Sequence, residues 1–215
     1  MTLLYLVRHG ETDWNRARRI QGSTDIPLND VGRRQAAEAG DLLARRPLTE
    51  VVASPLSRAA ETGAIIAGRL GLPAPRLVPD VAERRYGEAE GLTGTEVEAR
   101  FPAGVPVPGR ESRRELLSRV LPALAEVARA ADGGAVVVAT HGAVIRAVVN
   151  HVTGDDDSVL HVGVPIRNGS VHVFEVADGS LVLRAFDDPI EEESEATGAV
   201  DFDRQNALEG ADDPA

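Results

Sequence analysis

Short apolar runs alternate with longer amphipathic stretches along most of this chain, and that alternation leaves few folds open to it. Residues 3–7 read Leu-Leu-Tyr-Leu-Val and residues 135–140 read Ala-Val-Val-Val-Ala-Thr, continuous runs of strand length. Residues 50–54 and 76–78 are shorter runs of the same kind. Residues 33–46 repeat Ala36, Ala39, Leu42 and Leu43 at helical spacing and stop before Pro47. A second helical stretch, 57–70, is closed by Gly71 and Pro73. Residues 111–131 place Leu116, Leu117, Val120, Leu121, Leu124 and Val127 on one face, with Pro122 a candidate kink. Residues 143–152 form a helix directly after the run at 135–140, and a short helix is expected at 95–100. Strand–helix–strand units of this kind imply an α/β three-layer sandwich, a mostly parallel central sheet with helices on both faces. Residues 171–176 and 181–185, joined by Asp178-Gly179, predict a hairpin and so an antiparallel member.

The 215 residues suffice for one domain with a substantial core, expected over residues 1–186. With no cysteine there is no disulfide framework, thiol nucleophile or cysteine-ligated metal. All 23 basic residues are arginines, so P-loop and Schiff-base chemistry, which need lysine, are excluded. The net charge of −11 is unevenly placed. Residues 187–215 hold 11 of the 34 acidic residues and one arginine, Arg204, which leaves 23 acids against 22 arginines in residues 1–186. The body is nearly neutral, with no basic face for nucleic acid, and the acidic tail is expected to be flexible. No apolar run reaches membrane-spanning length and the N-terminal run is short for a signal segment, so a cytoplasmic location is expected.

Three of the expected strands end in polar residues: Arg8-His9, Ser54 and His141. Ligands on parallel sheets bind outside the carboxyl ends of the strands, so these residues point to one site. Taken alone, Arg8-His9-Gly10 is equally a polar strand cap. Gly10 allows a sharp turn or a close approach to a ligand. Arg58, at the start of a helix just after Ser54-Pro55, can supply a second guanidinium, and Gly142-Ala143 can add backbone donors from a helix N-terminus. Two arginines and two histidines suit a small, highly charged anion such as phosphate. They suit a divalent cation poorly, because the guanidiniums repel it, so no metal is expected. A Gly-x-Ser-x-Gly serine-hydrolase elbow is absent.

Four motifs in order carry a resemblance to a known family. They are Leu6-Val7-Arg8-His9-Gly10-Glu11-Thr12, Ser54-Pro55-Leu56-Ser57-Arg58-Ala59-x-x-Thr62, Glu83-x-x-x-Gly87-x-x-x-Gly91 and Thr140-His141-Gly142. Together they resemble the histidine phosphatase superfamily, in its phosphoglycerate mutase-like branch, over residues 3–176. The resemblance implies that His9 attacks phosphorus to form a phosphohistidine, with no cofactor, and that Arg8, Arg58 and His141 hold the phosphoryl oxygens. It implies that Glu83 protonates the leaving oxygen and later deprotonates the incoming water or alcohol. Asn15 would be a neutral donor to the phosphoryl group, and Gln21, Gly22 and Gly142 would line its edge. Flanking positive charge would keep His9 neutral. His151, His161 and His172 fall outside the motifs and are read as surface or packing residues, and Trp14 as a loop anchor.

Phosphatase and mutase share the phosphohistidine and differ in what intercepts it. Glu83-Arg84-Arg85-Tyr86-Gly87 resembles the mutase form of the acid motif. The short segment between Gly91 and Glu111 leaves little room for a mutase insertion, and Ala143 stands where mutases typically carry asparagine. Pro108-Gly109-Arg110-Glu111-Ser112 is similar to the Pro-Gly-Gly-Glu-Ser pattern of broad-specificity phosphatases, with Arg110 replacing a glycine. The expected activity is therefore a metal-independent phosphomonoester hydrolase acting on a small phosphorylated metabolite. A phosphoglycerate mutase is the first alternative and a non-catalytic phosphate-binding module the second. Arg84, Arg85, Arg110, Arg113 and Arg114 are candidates for recognising a second anionic group. The oligomeric state is open, a homodimer included.

Overall fold

The N-terminal apolar run becomes strand β1 (Thr2–Arg8), which lies inside the sheet with strands on both sides. The structure, a computed structural model, describes residues 1–154 and 164–187. After β1 come a single helical turn α1 (Asp13–Arg16), helix α2 (Asp30–Leu43), strand β2 (Glu50–Ala53), helix α3 (Ser57–Leu70) and the short strand β3 (Arg76–Leu77). Two 3-10 turns, Pro79–Val81 and Gly87–Ala89, precede α4 (Gly94–Arg100) and the long α5 (Arg113–Ala130). The chain continues through β4 (Ala135–Thr140), α6 (Gly142–Thr153), β5 (Val171–Ala177) and β6 (Ser180–Ala185). Among the described residues the strands form one sheet in the order β3-β2-β4-β1-β5-β6. β3, β2, β4 and β1 run parallel, whereas β5 is antiparallel to both β1 and β6.

Side-chain alternation along the strands divides the core into two layers. Leu4, Leu6, Val52, Val136, Val138 and Phe174 face α5 and α6, where Leu116, Val120, Leu124, Ile145 and Val148 meet them. Tyr5, Val7, Val51, Val137 and Val173 face the other way, onto Ala39 and Leu43 of α2 and Ile66 and Ala67 of α3. Helices thus cover both faces, the three-layer sandwich expected. Among the described residues no helix is long and apolar enough to cross a membrane.

Local chemistry sets the element ends. α2 starts three residues before the expected position because the Asn29 side chain accepts from the Gly32 backbone N–H at 2.9 Å, capping it. α3 has no cap from its own N-cap residue, Leu56. Instead Asp25, 32 residues upstream, accepts from both the N–H and the hydroxyl of Ser57 at 2.8 Å. α5 runs unbroken through Pro122. Asp178 and Gly179 both take positive φ, 50° and 77°, as a two-residue I′ hairpin turn requires. The polar stretch after His9 is more ordered than expected. Thr12 and Asn15 form a reciprocal capping box around α1, and Thr12 bridges to Leu28. The acidic segment 187–215, apart from Asp187, and His161 lie outside the described residues.

Gly10 makes a close approach, though to the protein's own backbone. A Cβ on Gly10 would sit 2.1 Å from the Gly32 carbonyl oxygen, and one on Gly32 would sit 2.1 Å from the Glu11 carbonyl oxygen. The β1 exit and the first turn of α2 therefore pack backbone against backbone. Gly32→Ala is expected to lower the unfolding free energy by about 1–3 kcal/mol through overpacking. The urea midpoint should fall with an unchanged m-value, and an unmoved midpoint would show that this contact is not needed.

Candidate active site

Adjacent parallel strands bring the three polar strand ends together. Arg8 pairs with Thr140 in register, the His9 N–H donates to the Thr140 carbonyl at 2.9 Å, and the Ser54 N–H donates to the Ala139 carbonyl at 3.0 Å. The His9 and His141 rings meet edge to face, with centroids 5.2 Å apart and an interplanar angle of 60°. Both rings are buried, and His141 Nε2 lies 2.8 Å from the buried Ser54 hydroxyl. His9 Nδ1 lies 2.7 Å from the Gly10 carbonyl oxygen. A carbonyl can only accept, so in the neutral ring Nδ1 carries the proton and Nε2 keeps a lone pair. The Asn168 side chain fixes the same residue by donating to the His9 carbonyl at 2.9 Å.

Two buried guanidiniums flank these rings. Arg8 donates through Nη1 to the Ile166 carbonyl, and its side chain crosses the start of α6 at Gly142. A Cβ on Gly142 would lie 3.3 Å from Arg8 Nε, so glycine there leaves space for the guanidinium. Arg58, from the first turn of α3, donates Nη1 to the Thr24 carbonyl at 2.9 Å and Nη2 to the Gly22 carbonyl at 2.7 Å. Its buried Nε has no hydrogen-bond partner among the described residues, and neither does His141 Nδ1. The loop that receives Arg58 is itself held by Glu90, whose carboxylate accepts from the N–H groups of Ser23 at 3.0 Å and Thr24 at 2.9 Å. Gly22 thus serves the site through its carbonyl. Its φ of +54° and the Glu90 oxygen 2.2 Å from where a Cβ would lie explain the glycine.

Electrostatics follow from this burial. The His9 pKa is held well below 6.5, by desolvation first and then by Arg58 and Arg8. His141 is lowered in the same way, by burial and then by Arg58, His9 and Arg8. Burial lowers Arg8 to about 10, with Glu83 opposing and Arg58 reinforcing the shift, and it also lowers Arg58. The strong contribution of desolvation to the histidines is the part that flanking charge alone did not anticipate.

Glu83 reaches this group from the irregular segment after β3. Its Oε1 accepts from the Arg84 N–H at 2.9 Å and its Oε2 faces the Ala143 N–H at 3.4 Å, at the α6 N-terminus. That backbone donor, expected to face an anion, is directed at the carboxylate instead. Burial raises the Glu83 pKa; the two backbone N–H groups, Arg58 and Arg8 oppose the rise without cancelling it. Asn15 turns its oxygen to the Thr12 N–H at 3.1 Å, which leaves its NH₂ as the donating end. Gln21 is buried, its oxygen 2.9 Å from the Thr12 hydroxyl. Of the outlying histidines, His151 is exposed on α6, and His172 is buried in β5 with Nδ1 accepting from the Asp187 N–H at 3.1 Å.

Sequence reasoning missed the supports. Asn168 and Glu90 act on the site through backbone, and neither is a residue that the four motifs specify. Ser54 was marked only as a strand end. Arg84 and Arg110 flank the buried Tyr86 ring, each with its guanidinium carbon 5.6 Å from the ring centroid. Among the described residues no group of three or more His, Cys, Asp or Glu side chains could hold a metal ion.

The sequence model of the histidine phosphatase superfamily (branch 1) matches residues 4–189. An uncharacterised phosphatase, PhoE, of Bacillus subtilis (strain 168) is 42% identical over 156 residues, which is 73% of this chain and 80% of that one. A metal-independent phosphoserine phosphatase of Arabidopsis thaliana is 34% identical over 201 residues, 87% of this chain and 82% of that one. Among solved structures, the mycobacterial glucosyl-3-phosphoglycerate phosphatase in complex with VO3 superposes with a TM-score of 0.75 at 27% identity. It covers 86% of this chain, which in turn covers 98% of it.

The depressed histidines fix the sign of a pH effect. In the unfolded chain His9 and His141 titrate near 6.5, whereas in the folded protein they stay neutral well below it. The unfolded state takes up protons first, so stability falls as pH drops below 6.5, by up to about 1.4 kcal/mol per pH unit for each ring. Glu83 works oppositely. Raised above 4.5, it favours the folded state at low pH and loses that contribution as pH rises through its folded value. NMR titration from pH 8 to 5 should find the His9 and His141 rings neutral throughout; a midpoint near 6.5 for either would contradict the burial argument.

Proposed function

The chain belongs to the histidine phosphatase superfamily, and from that membership we propose a metal-independent phosphomonoester hydrolase working through a phosphohistidine on His9. The observation that carries the proposal is a neutral His9 with its Nε2 lone pair available beside two buried guanidiniums. Residues 1–186 would form the catalytic unit.

Arg8, Arg58 and His141 receive the phosphoryl oxygens, Arg58 through the Nε that the Gly22 and Thr24 carbonyls leave free. His9 Nε2 attacks phosphorus in line with the ester oxygen. As the P–N bond forms the P–O bond breaks, and the protonated Glu83 carboxyl gives its proton to the departing alcohol. Burial serves that step by favouring the neutral acid. The same carboxylate then takes a proton from water, whose oxygen displaces His9 and releases inorganic phosphate. The transferring group spreads negative charge over its equatorial oxygens, so preorganised cations contribute most of the rate. Asn15 and Gln21 present amide donors at the edge of the same group.

Hydrolysis is favoured over mutase transfer by the short run from Gly91 to α5 and by Ala143 at the start of α6. Relatives carry the phosphatase name and the phosphoglycerate mutase name alike, so the choice of hydrolysis rests on these two sequence features. Glycerol phosphate turnover should be unaffected by EDTA, and His9→Ala should fall below about one-thousandth of wild-type kcat. Loss of activity on chelation, or an active His9→Ala enzyme, would refute the mechanism.

Arg110, stacked on Tyr86, provides a charge at the rim that suits a substrate with a second anionic group. Arg110→Ala is expected to raise KM for a phosphorylated carboxylic acid more than for an uncharged phosphomonoester. Equal effects on the two substrates would dispose of that role.

A further inference from the structure

Glu83 sits in a segment with little regular structure, yet its backbone is gripped residue by residue. Arg119, in the second turn of α5, donates Nη1 to the carbonyls of Asp80 and Ala82, both at 2.8 Å, and Nη2 to the carbonyl of Glu83 at 3.0 Å. The Thr140 hydroxyl, at the end of β4, donates to the intervening Val81 carbonyl at 2.7 Å. Four successive carbonyls, 80 to 83, are thus each taken by a side chain from an element that frames the site. The other edge of the Arg119 guanidinium is held by the Glu111 carboxylate, Nε at 2.8 Å and Nη2 at 3.0 Å. Glu111 also fastens the far side of Glu83: its Oε2 accepts from the Arg85 N–H at 3.1 Å and its own N–H donates to the Arg85 carbonyl at 2.9 Å.

General packing does not explain this arrangement. A buried ion pair stabilises a fold no better than apolar residues of the same volume. The Glu111 side chain is only 1% exposed and that of Arg119 22%, and among the described residues the hydrogen bonds of the Arg119 side chain go to residues 80–83 and to Glu111. What the pair fixes is the one stretch of backbone that carries the carboxyl group.

We propose that Arg119, oriented by Glu111, is the positioning residue for the proton donor: by pinning the 80–83 carbonyls it sets the Glu83 carboxyl where the leaving oxygen departs. The inference rests on the reading of Glu83 as general acid. Arg119 itself touches neither substrate nor reacting atoms. Its contribution belongs to bond cleavage that needs a proton and not to phosphate binding, which Arg8, Arg58 and His141 perform.

Leaving-group chemistry separates these roles. An alkoxide leaves phosphorus poorly without a proton, whereas p-nitrophenolate leaves without one. The Arg119→Met/Glu111→Gln double variant removes both charges together, so that neither is stranded in the interior. Its kcat/KM for glycerol phosphate should fall by about 100-fold, the usual effect of a misplaced catalytic group, and for p-nitrophenyl phosphate by less than about threefold. Inhibition by inorganic phosphate should stay within about twofold of wild type, because the anion-holding residues are untouched. Arg119→Lys, which keeps the ion pair but cannot bridge three carbonyls, should show the same split in smaller measure and serves if the double variant does not fold. Glu83→Gln is the reference. If Glu83→Gln discriminates between the two esters but the Arg119 variants lose both rates equally, or lose neither, the positioning role is overturned with the acid intact. If Glu83→Gln loses both esters equally, the acid assignment fails and the positioning role with it.

Discussion

Everything in this site depends on charge kept out of water. Arg58 is fully buried and spends two of its N–H groups on the Gly22 and Thr24 carbonyls. Held that way it cannot swing out to solvent, and its field falls on His9 and His141. With the charge of Arg8 added to it, the two rings remain free bases under conditions where an exposed histidine takes up a proton. The proposed mechanism asks for a nucleophile that stays unprotonated and for cations that meet a phosphoryl group, and one burial would serve both. Desolvation disfavours both guanidiniums, Glu83 opposes that shift at each, and an anion between them would oppose it further.

The sheet makes such a concentration of charge possible. β2, β4 and β1 lie side by side and parallel, so Ser54, His141 and His9 emerge from adjacent strand ends with their backbones already hydrogen-bonded. Helices α3 and α6 start at the same edge and bring Arg58 and the Ala143 N–H with them. Two carboxylates then lock irregular backbone into the frame. Glu90 gathers Ser23 and Thr24, in the loop whose Gly22 and Thr24 carbonyls hold Arg58, and Glu111 works with Arg119 on the segment of Glu83. Loops that supply the chemistry are therefore fixed by side chains where no strand or helix could fix them.

Much of this was legible in the residues because periodicity is a local signal. The runs at 3–7 and 135–139 are apolar at every position, as strands buried on both faces must be, and the polar residues that follow them marked the site. Asp178-Gly179 declared its turn. What could not be read were interactions whose two halves lie far apart in sequence. Asp25 caps a helix 32 residues away, and Asn168 holds a carbonyl 159 residues back. Gly10 shows the limit clearly. A close approach was expected there, but nothing in the order of residues says that the neighbour would be Gly32 and not a ligand. The start of α2 was misplaced for a related reason: Asn29 caps more strongly than the glycine at position 32 interrupts.

A covalent bond between phosphorus and a named nitrogen is the central claim, and it can be observed. The wild-type protein, mixed with a phosphorus-labelled monoester and quenched in alkali within milliseconds, should carry label that is stable to base and lost in acid, as a phosphoramidate is. Peptide mapping should place it on the fragment containing His9, attached at Nε2. Label on any other residue, or turnover without any labelled protein during the first cycle, would contradict a phosphohistidine route and leave the buried arginines as a binding site only.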